Sequence, residues 1–157
     1  MDDISKWVPE LRDPTIKKRR EAAIHLGKSA DLSAIPHLLE VLSDTHPGVR
    51  CEVVQALGRL KDSSAVPALI KSLDDADTNV RAAAIAAIGK IKNRDAVNPL
   101  IACLHDKEII IRVGAAEVLG KLGDHKAIGS LKILRHDPFL EVRDAAEAAV
   151  RRLRVKI

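Results

Sequence analysis

Apolar and polar positions along this chain keep helical time. In residues 78–92, Val80, Ala84, Ile85, Ile88 and Ile91 recur three or four residues apart and form one apolar stripe. Alanine fills most of the remaining positions, which favours helix strongly. A second, shorter stripe follows the same rule in residues 64–73, through Leu69, Ile70 and Leu73. Pro67 stands in its first turn, where a missing N–H costs no helical hydrogen bond. Asp31, Asp62, Asn93 and Asp124 lie after the long stripes. Each is expected to end one helix and cap the next.

The two-helix pattern repeats every 31 residues without a gap. Arg19, Arg50, Arg81, Arg112 and Arg143 fall in one column, and Asp13, Asp44, Asp75, Asp106 and Asp137 in another. Gly27, Gly58, Gly89 and Gly120 form a third, Leu38, Leu69, Leu100 and Leu131 a fourth, Ala34, Ala65, Ala96 and Ala127 a fifth. The long helix of each unit is called helix A and the short one helix B. The prediction is one all-α domain over 1–157, with repeats at 13–43, 44–74, 75–105 and 106–136.

The two ends depart from the pattern. Ile4, Trp7, Val8 and Leu11 precede Ile35, Leu38, Leu39 and Leu42 by one repeat. Residues 1–12 are therefore expected to form a lone capping helix B, with Trp7 as a packing residue. Residues 137–157 are expected to be a capping half-repeat. There Arg151 replaces the column glycine, Glu147 the apolar column of Ala23, Val54, Ile85 and Ala116, and Lys132 that of Leu39, Ile70 and Ile101. Such changes turn a terminal face polar, as the end of a stacked array requires. Val155 and Ile157 leave a weak homodimer contact open as an alternative to a monomer.

Composition narrows the function classes. The 157 residues carry 26 Lys and Arg against 22 Asp and Glu, a formal charge of +4. That is mild for a nucleic-acid binder. Trp7 and Phe139 are the only aromatics, few for a globular enzyme. Cys51 and Cys103 are far apart in sequence, which fits a reducing compartment and no disulfide framework. No signal peptide or membrane-length apolar run is read, so a cytoplasmic location is expected.

The rows have the form D-x5-R-x2-A-x3-L-G, then a turn, then A-[IV]-P-x-L, as in Asp13, Arg19, Ala22, Leu26, Gly27 and Ala34-Ile35-Pro36-His37-Leu38. This resembles the HEAT-like repeats, in particular the short type named after phycobilin lyase subunits, over essentially the whole chain. The resemblance implies a right-handed α-α superhelix of about five two-helix repeats, an armadillo-type solenoid. Its members include chromophore lyase subunits, a metal-dependent hydroxylase and many scaffolds, so it is specific for fold and poor for function. The hydroxylase carries paired His-Glu motifs at the start of helix A. The matching positions here are Arg20-Glu21, Cys51-Glu52, Ala82-Ala83 and Val113-Gly114, none with a histidine. A di-iron site is not implied, and no metal or other cofactor is expected.

Each candidate chemistry has a plainer reading. The Asp and Arg columns are expected to form a structural ladder between repeats, because a pair present in every unit argues for architecture. The helical glycines are expected to admit a neighbouring helix. His105 and His136, each followed by Asp, read as polar residues at a helix start, not as metal ligands. Cys51 has no identifiable base to activate it, and no catalytic residues are assigned. Lys28, Arg59, Lys90, Lys121 and Arg152 form a basic edge. The plain reading is compensation of helix dipoles; the alternative is contact with an acidic partner or a phosphate backbone.

In this repeat type the free side of helix A forms the concave face. Here it would present Ile16, Arg20, Cys51, Gln55, Asn79, Ala82, Ala83 and Ala86, then Ile109, Ile110, Val113 and Glu117, then Leu140 and Asp144. Its middle is small-sided. Its fourth row is apolar although Ile111, Ala115, Ala116 and Leu119 already supply the core stripe. An apolar patch of this kind marks an interaction site. The expected function is a non-enzymatic scaffold that binds another protein there. A phycobilin-lyase-like accessory role, handling a tetrapyrrole or its acceptor protein, is the alternative, and nucleic-acid binding along the basic edge is the third reading.

Overall fold

The computed structural model describes residues 4–155, and the described residues are helical, with no strand. The chain divides into two compact units between Ile91 and Lys92. In the first, α1 (Trp7–Glu10), α3 (Ala34–Glu40) and α5 (Val66–Ser72) are helices B. Alternating with them, α2 (Ile16–Lys28), α4 (Pro47–Leu60) and α6 (Thr78–Ile91) are helices A. The second unit holds helices B α7 (Val97–Cys103) and α9 (Ile128–Ile133), and helices A α8 (Ile109–Leu122) and α10 (Leu140–Val155). Helix A of the third repeat and helix B of the second match the sequence-based boundaries to within two residues.

The stripes become the cores. Val80, Ala84, Ile85 and Ile88 of α6 are buried, as are Leu69 and Leu73 of the second repeat. Within the first unit α2 packs on α4 and α4 on α6; within the second, α8 packs on α10. The column glycines sit at these contacts. A Cβ at Gly27 would lie 2.6 Å from the Ala56 Cα, at Gly58 2.8 Å from the Ala87 Cα, and at Gly120 2.9 Å from the Ala149 Cα. The helical cost of glycine, ~1 kcal/mol against alanine, is offset by backbone contact that no larger residue permits.

Asp–Arg pairing ties successive repeats together. Arg50 Nε and Nη2 donate to both oxygens of Asp75 at 2.8 Å. Its Nη1 donates to the carbonyls of Asp44 and Thr45. Arg19 grips Asp44 in the same way, and Arg112 grips Asp137. The carboxylate therefore comes from 25 residues ahead, while the aspartate six residues behind supplies only its backbone oxygen. Each carboxylate also accepts the N–H two residues on, as Asp75 does from Asp77.

Caps follow the expected polar residues. Asp31, Asp62, Asn93 and Asp124 accept backbone N–H bonds at the start of the turn leading into helix B. The preceding residue is left-handed: Ala30 (φ 57°), Lys61 (55°), Lys92 (60°) and Gly123 (74°). Only the last has the residue this conformation favours. Lys61→Gly should therefore raise stability by roughly 0.5 kcal/mol, since relief of the strain outweighs the added freedom of the unfolded chain. A thermal melt would show a rise of ~1–2 °C.

Trp7 is half-buried, and its ring lies parallel to that of His25 with centroids 3.8 Å apart. It packs, as expected, but against an imidazole rather than in an aliphatic core. His105 and His136 do not begin helices: they follow α7 and α9, and the aspartates after them accept the N–H two residues on, in the loop before the next helix. The dimer contact expected through Val155 and Ile157 rests on side chains outside those described.

Candidate interaction surface

Core packing fixes what helices A leave free. On α4, Val49, Val53, Val54, Ala56 and Leu57 face inward. Cys51, Glu52, Gln55 and Arg59 therefore share the opposite side. The same geometry turns Arg20, Ile24 and Lys28 outward on α2, and Asn79, Ala82, Ala83, Ala86 and Lys90 on α6. Ile16, Arg20, Asn79 and Ala86 are exposed; Cys51, Gln55, Ala82 and Ala83 are half-buried.

A shallow depression of about 390 Å³ lies on this side of the first unit, with Arg20, Gly48, Cys51, Gln55 and Asn79 in its wall. Two further wall residues, Pro47 and Asp77, were not foreseen. They belong to the loop-to-helix junction, where burial periodicity gives no signal. Arg20 Nη2 donates to Glu52 Oε1 at 2.9 Å across the depression. Gln55 Nε2 lies 3.3 Å from Cys51 Sγ, and Arg59 Nη2 donates to Gln55 Oε1 at 3.3 Å. Burial pushes the Cys51 thiol above its ordinary range, although the Gln55 bond opposes this. A thiol held protonated is a poor nucleophile, and the groups around it are polar.

In the second unit the corresponding side is apolar at one end. Ile110 is 61% exposed, Leu140 57% and Phe139 44%. Ile109 and Val113 are half-buried beside them, and Glu117 and Asp144 are exposed. Phe139 was foreseen only as one of two aromatics. Its place in the repeat, shared with Thr15, His46, Asp77 and Glu108, is otherwise polar, and that contrast was the available signal. The Arg112 guanidinium lies 5.7 Å from its ring centroid. The basic column runs through the last turns of the helices, with Lys28, Lys90, Lys121 and Arg152 exposed and Arg59 half-buried. Among the described residues, no three His, Cys, Asp or Glu side chains are grouped as metal ligands would be. No described helix is long and apolar enough to cross a membrane.

Comparison with known proteins agrees with this architecture. The chain superposes on a component of the CpcE–CpcF complex of phycocyanin lyase from Nostoc sp. PCC7120, with a TM-score of 0.82 and 26% identity. The match covers 94% of this chain and spans 63% of the lyase chain. A designed armadillo repeat protein in complex with the peptide (KR)4 superposes with a TM-score of 0.77 and 22% identity, over 96% of this chain and 81% of that one. No curated protein matches the sequence significantly. The family model for HEAT repeats matches residues 4–77 and 66–151. These matches run over most of its length, and this chain belongs to the HEAT repeat family.

Proposed function

We propose that this protein is an interaction scaffold that docks a partner protein on the free side of helices A. The observation that carries this reading is the apolar patch of Ile110, Phe139 and Leu140 on α8 and α10. These side chains contribute little to the core of their unit, whose stripe runs through Ile111, Ala115, Ala116, Leu119 and Val142. Large apolar side chains left in water beside a polar rim are the usual mark of a docking site. The small-sided, polar surface in the first unit supports the same reading, since little stands in the way of a partner backbone. The designed armadillo protein, which shares the fold, is itself a peptide complex.

Capture from source-cell lysate, followed by mass spectrometry, tests the proposal. The wild type is compared with Ile110→Glu/Leu140→Glu, chosen because both side chains are more than half exposed and the variant should stay folded. A partner retained by the wild type and lost by the folded variant is expected. Equal capture by both would refute the patch as the site.

The similarity to the phycocyanin lyase complex favours a second reading, an accessory subunit that handles a tetrapyrrole or its acceptor protein. A visible absorbance change on mixing with free bilin, without capture of a protein, would select it.

A further inference from the structure

The free side of helices A in the first unit is divided by charge. Around the first turns the cations are paired: Lys17 with Glu21, Lys18 with Glu10 and Asp13, Arg19 with Asp44, Arg20 with Glu52 and Arg50 with Asp75. In the last turns Lys28, Arg59 and Lys90 have no carboxylate within ion-pair distance among the described residues. Within the helices, Glu21 and Glu52 stand seven residues before Lys28 and Arg59, about 10 Å along the helix axis, and both are engaged, while Asp31 and Asp62, three residues on, cap the following turns.

Arg59 is the centre of this row. Its Nη2 is held by Gln55, while its Nη1 is buried without an acceptor. A buried donor left unbonded is costly, so an acceptor that reached this nitrogen would stabilise the fork. Dipole compensation explains why cations stand in the last turns. It does not explain why all three lack partners or why one carries an orphan donor.

The row also has a defined pitch. Lys28, Arg59 and Lys90 stand on three helices packed side by side, Lys28 and Arg59 each one residue after a glycine at a close contact, Gly27 with Ala56 and Gly58 with Ala87. Helices in such contact lie about 8–10 Å apart. Three residues of polyproline II chain advance about 9 Å and return to the same face. We propose that this row binds an extended acidic peptide segment bearing a carboxylate at every third residue. This rests on the reading of the free side of helices A as the docking surface, and it adds the chemistry of the ligand. Nucleic acid fits less well: the chain's formal charge is only +4, and its one aromatic in this unit, Trp7, is already stacked on His25.

The test is fluorescence anisotropy with a labelled peptide of three Glu-Pro-Pro triplets, titrated with the full chain at low salt. The expected result is saturable binding that weakens as salt rises. It should fall by roughly tenfold both with Gln in place of Glu and in the folded variant Lys28→Gln/Arg59→Gln/Lys90→Gln. No binding of the peptide, or equal binding by that variant, overturns the proposal. Tighter binding of an oligothymidylate of equal charge overturns it too, by assigning the row to nucleic acid. The two proposals separate cleanly: Ile110→Glu/Leu140→Glu leaves the row intact, so peptide binding survives there even if the apolar patch proves not to be a docking site.

Discussion

Replacing Gly58 with alanine is expected to destabilise the protein by about 1–2 kcal/mol, and replacing it with leucine by more than twice that. Helix propensity alone predicts the opposite sign, a gain of ~1 kcal/mol for alanine. Sterics decide the outcome, because the new Cβ would stand 2.7 Å from the Ala87 Cβ and 2.8 Å from its Cα. A flexible side-chain tip could give way; a helix backbone yields only by separating α4 from α6. Gly129→Ala is the control. It lies in α9 with nothing within 4 Å of the added Cβ, so the propensity gain should appear undiminished and its melting temperature should rise. Denaturant or thermal unfolding of the two alanine variants beside the wild type decides the matter. Equal shifts in both would show that the close helix contact does not carry the effect.

Arg50→Ala should be more damaging than Gly58→Ala, at roughly 2–3 kcal/mol. It removes the arginine donors from both oxygens of Asp75 and from two loop carbonyls at once. Both side chains are largely withdrawn from water, at 17% and 14% exposure, so solvent replaces those bonds poorly. A double-mutant cycle with Asp75→Ala should show strong coupling. The same pairing predicts a pH dependence. The Arg50 fork holds the Asp75 carboxyl below its ordinary range against the opposing effect of burial. At Asp44 and Asp137 burial is the largest single influence and raises the pKa. It is outweighed by the arginine fork and a backbone N–H together, so both also end lowered. A carboxyl lowered in the folded state stabilises it fully above the unfolded value, near 3.9, and that contribution is lost as pH falls through the folded value. The melting temperature of the wild type should therefore fall steeply below about pH 4, and less steeply in Asp75→Asn.

The fold was legible because its causes are written in residue identity. A stripe such as Val80, Ala84, Ile85 and Ile88 announces a buried helix face, and Gly58 in mid-helix announces a neighbour. The ladder was legible only in part. The columns predict pairing between repeats, and Arg50 does take the Asp75 carboxylate, but nothing in them shows that the nearer Asp44 gives Arg50 only its carbonyl. Backbone acceptors leave no mark in a sequence. Left-handed caps at Ala30 and Lys61 were illegible for a similar reason, since neither residue favours the conformation that the turn imposes. On the surface, residue type indicated which positions face outward. It did not show that Gln55 would bridge Cys51 and Arg59, because rotamer choice depends on neighbours one repeat away.

The arginine forks make the two kinds of loop unequal. Every described loop that runs from helix B into helix A within a unit is clasped: 11–15 by Arg19, 41–46 by Arg19 and Arg50, 73–77 by Arg50 and Arg81, 104–108 by Arg112, and 134–139 by Arg112 and Arg143. The turns from helix A into helix B are held mainly by their own Asp cap, joined by Ser29 in the first turn and by a His125 Nε2 contact with the Leu153 carbonyl, 2.8 Å away, in the last. Lengthening the first kind breaks bonds between neighbouring repeats, whereas lengthening the second costs little more than chain closure. Inserted sequence, whether from natural variation or from a fused reporter, therefore has a natural home after Lys61 and none around Asp44 or Asp75.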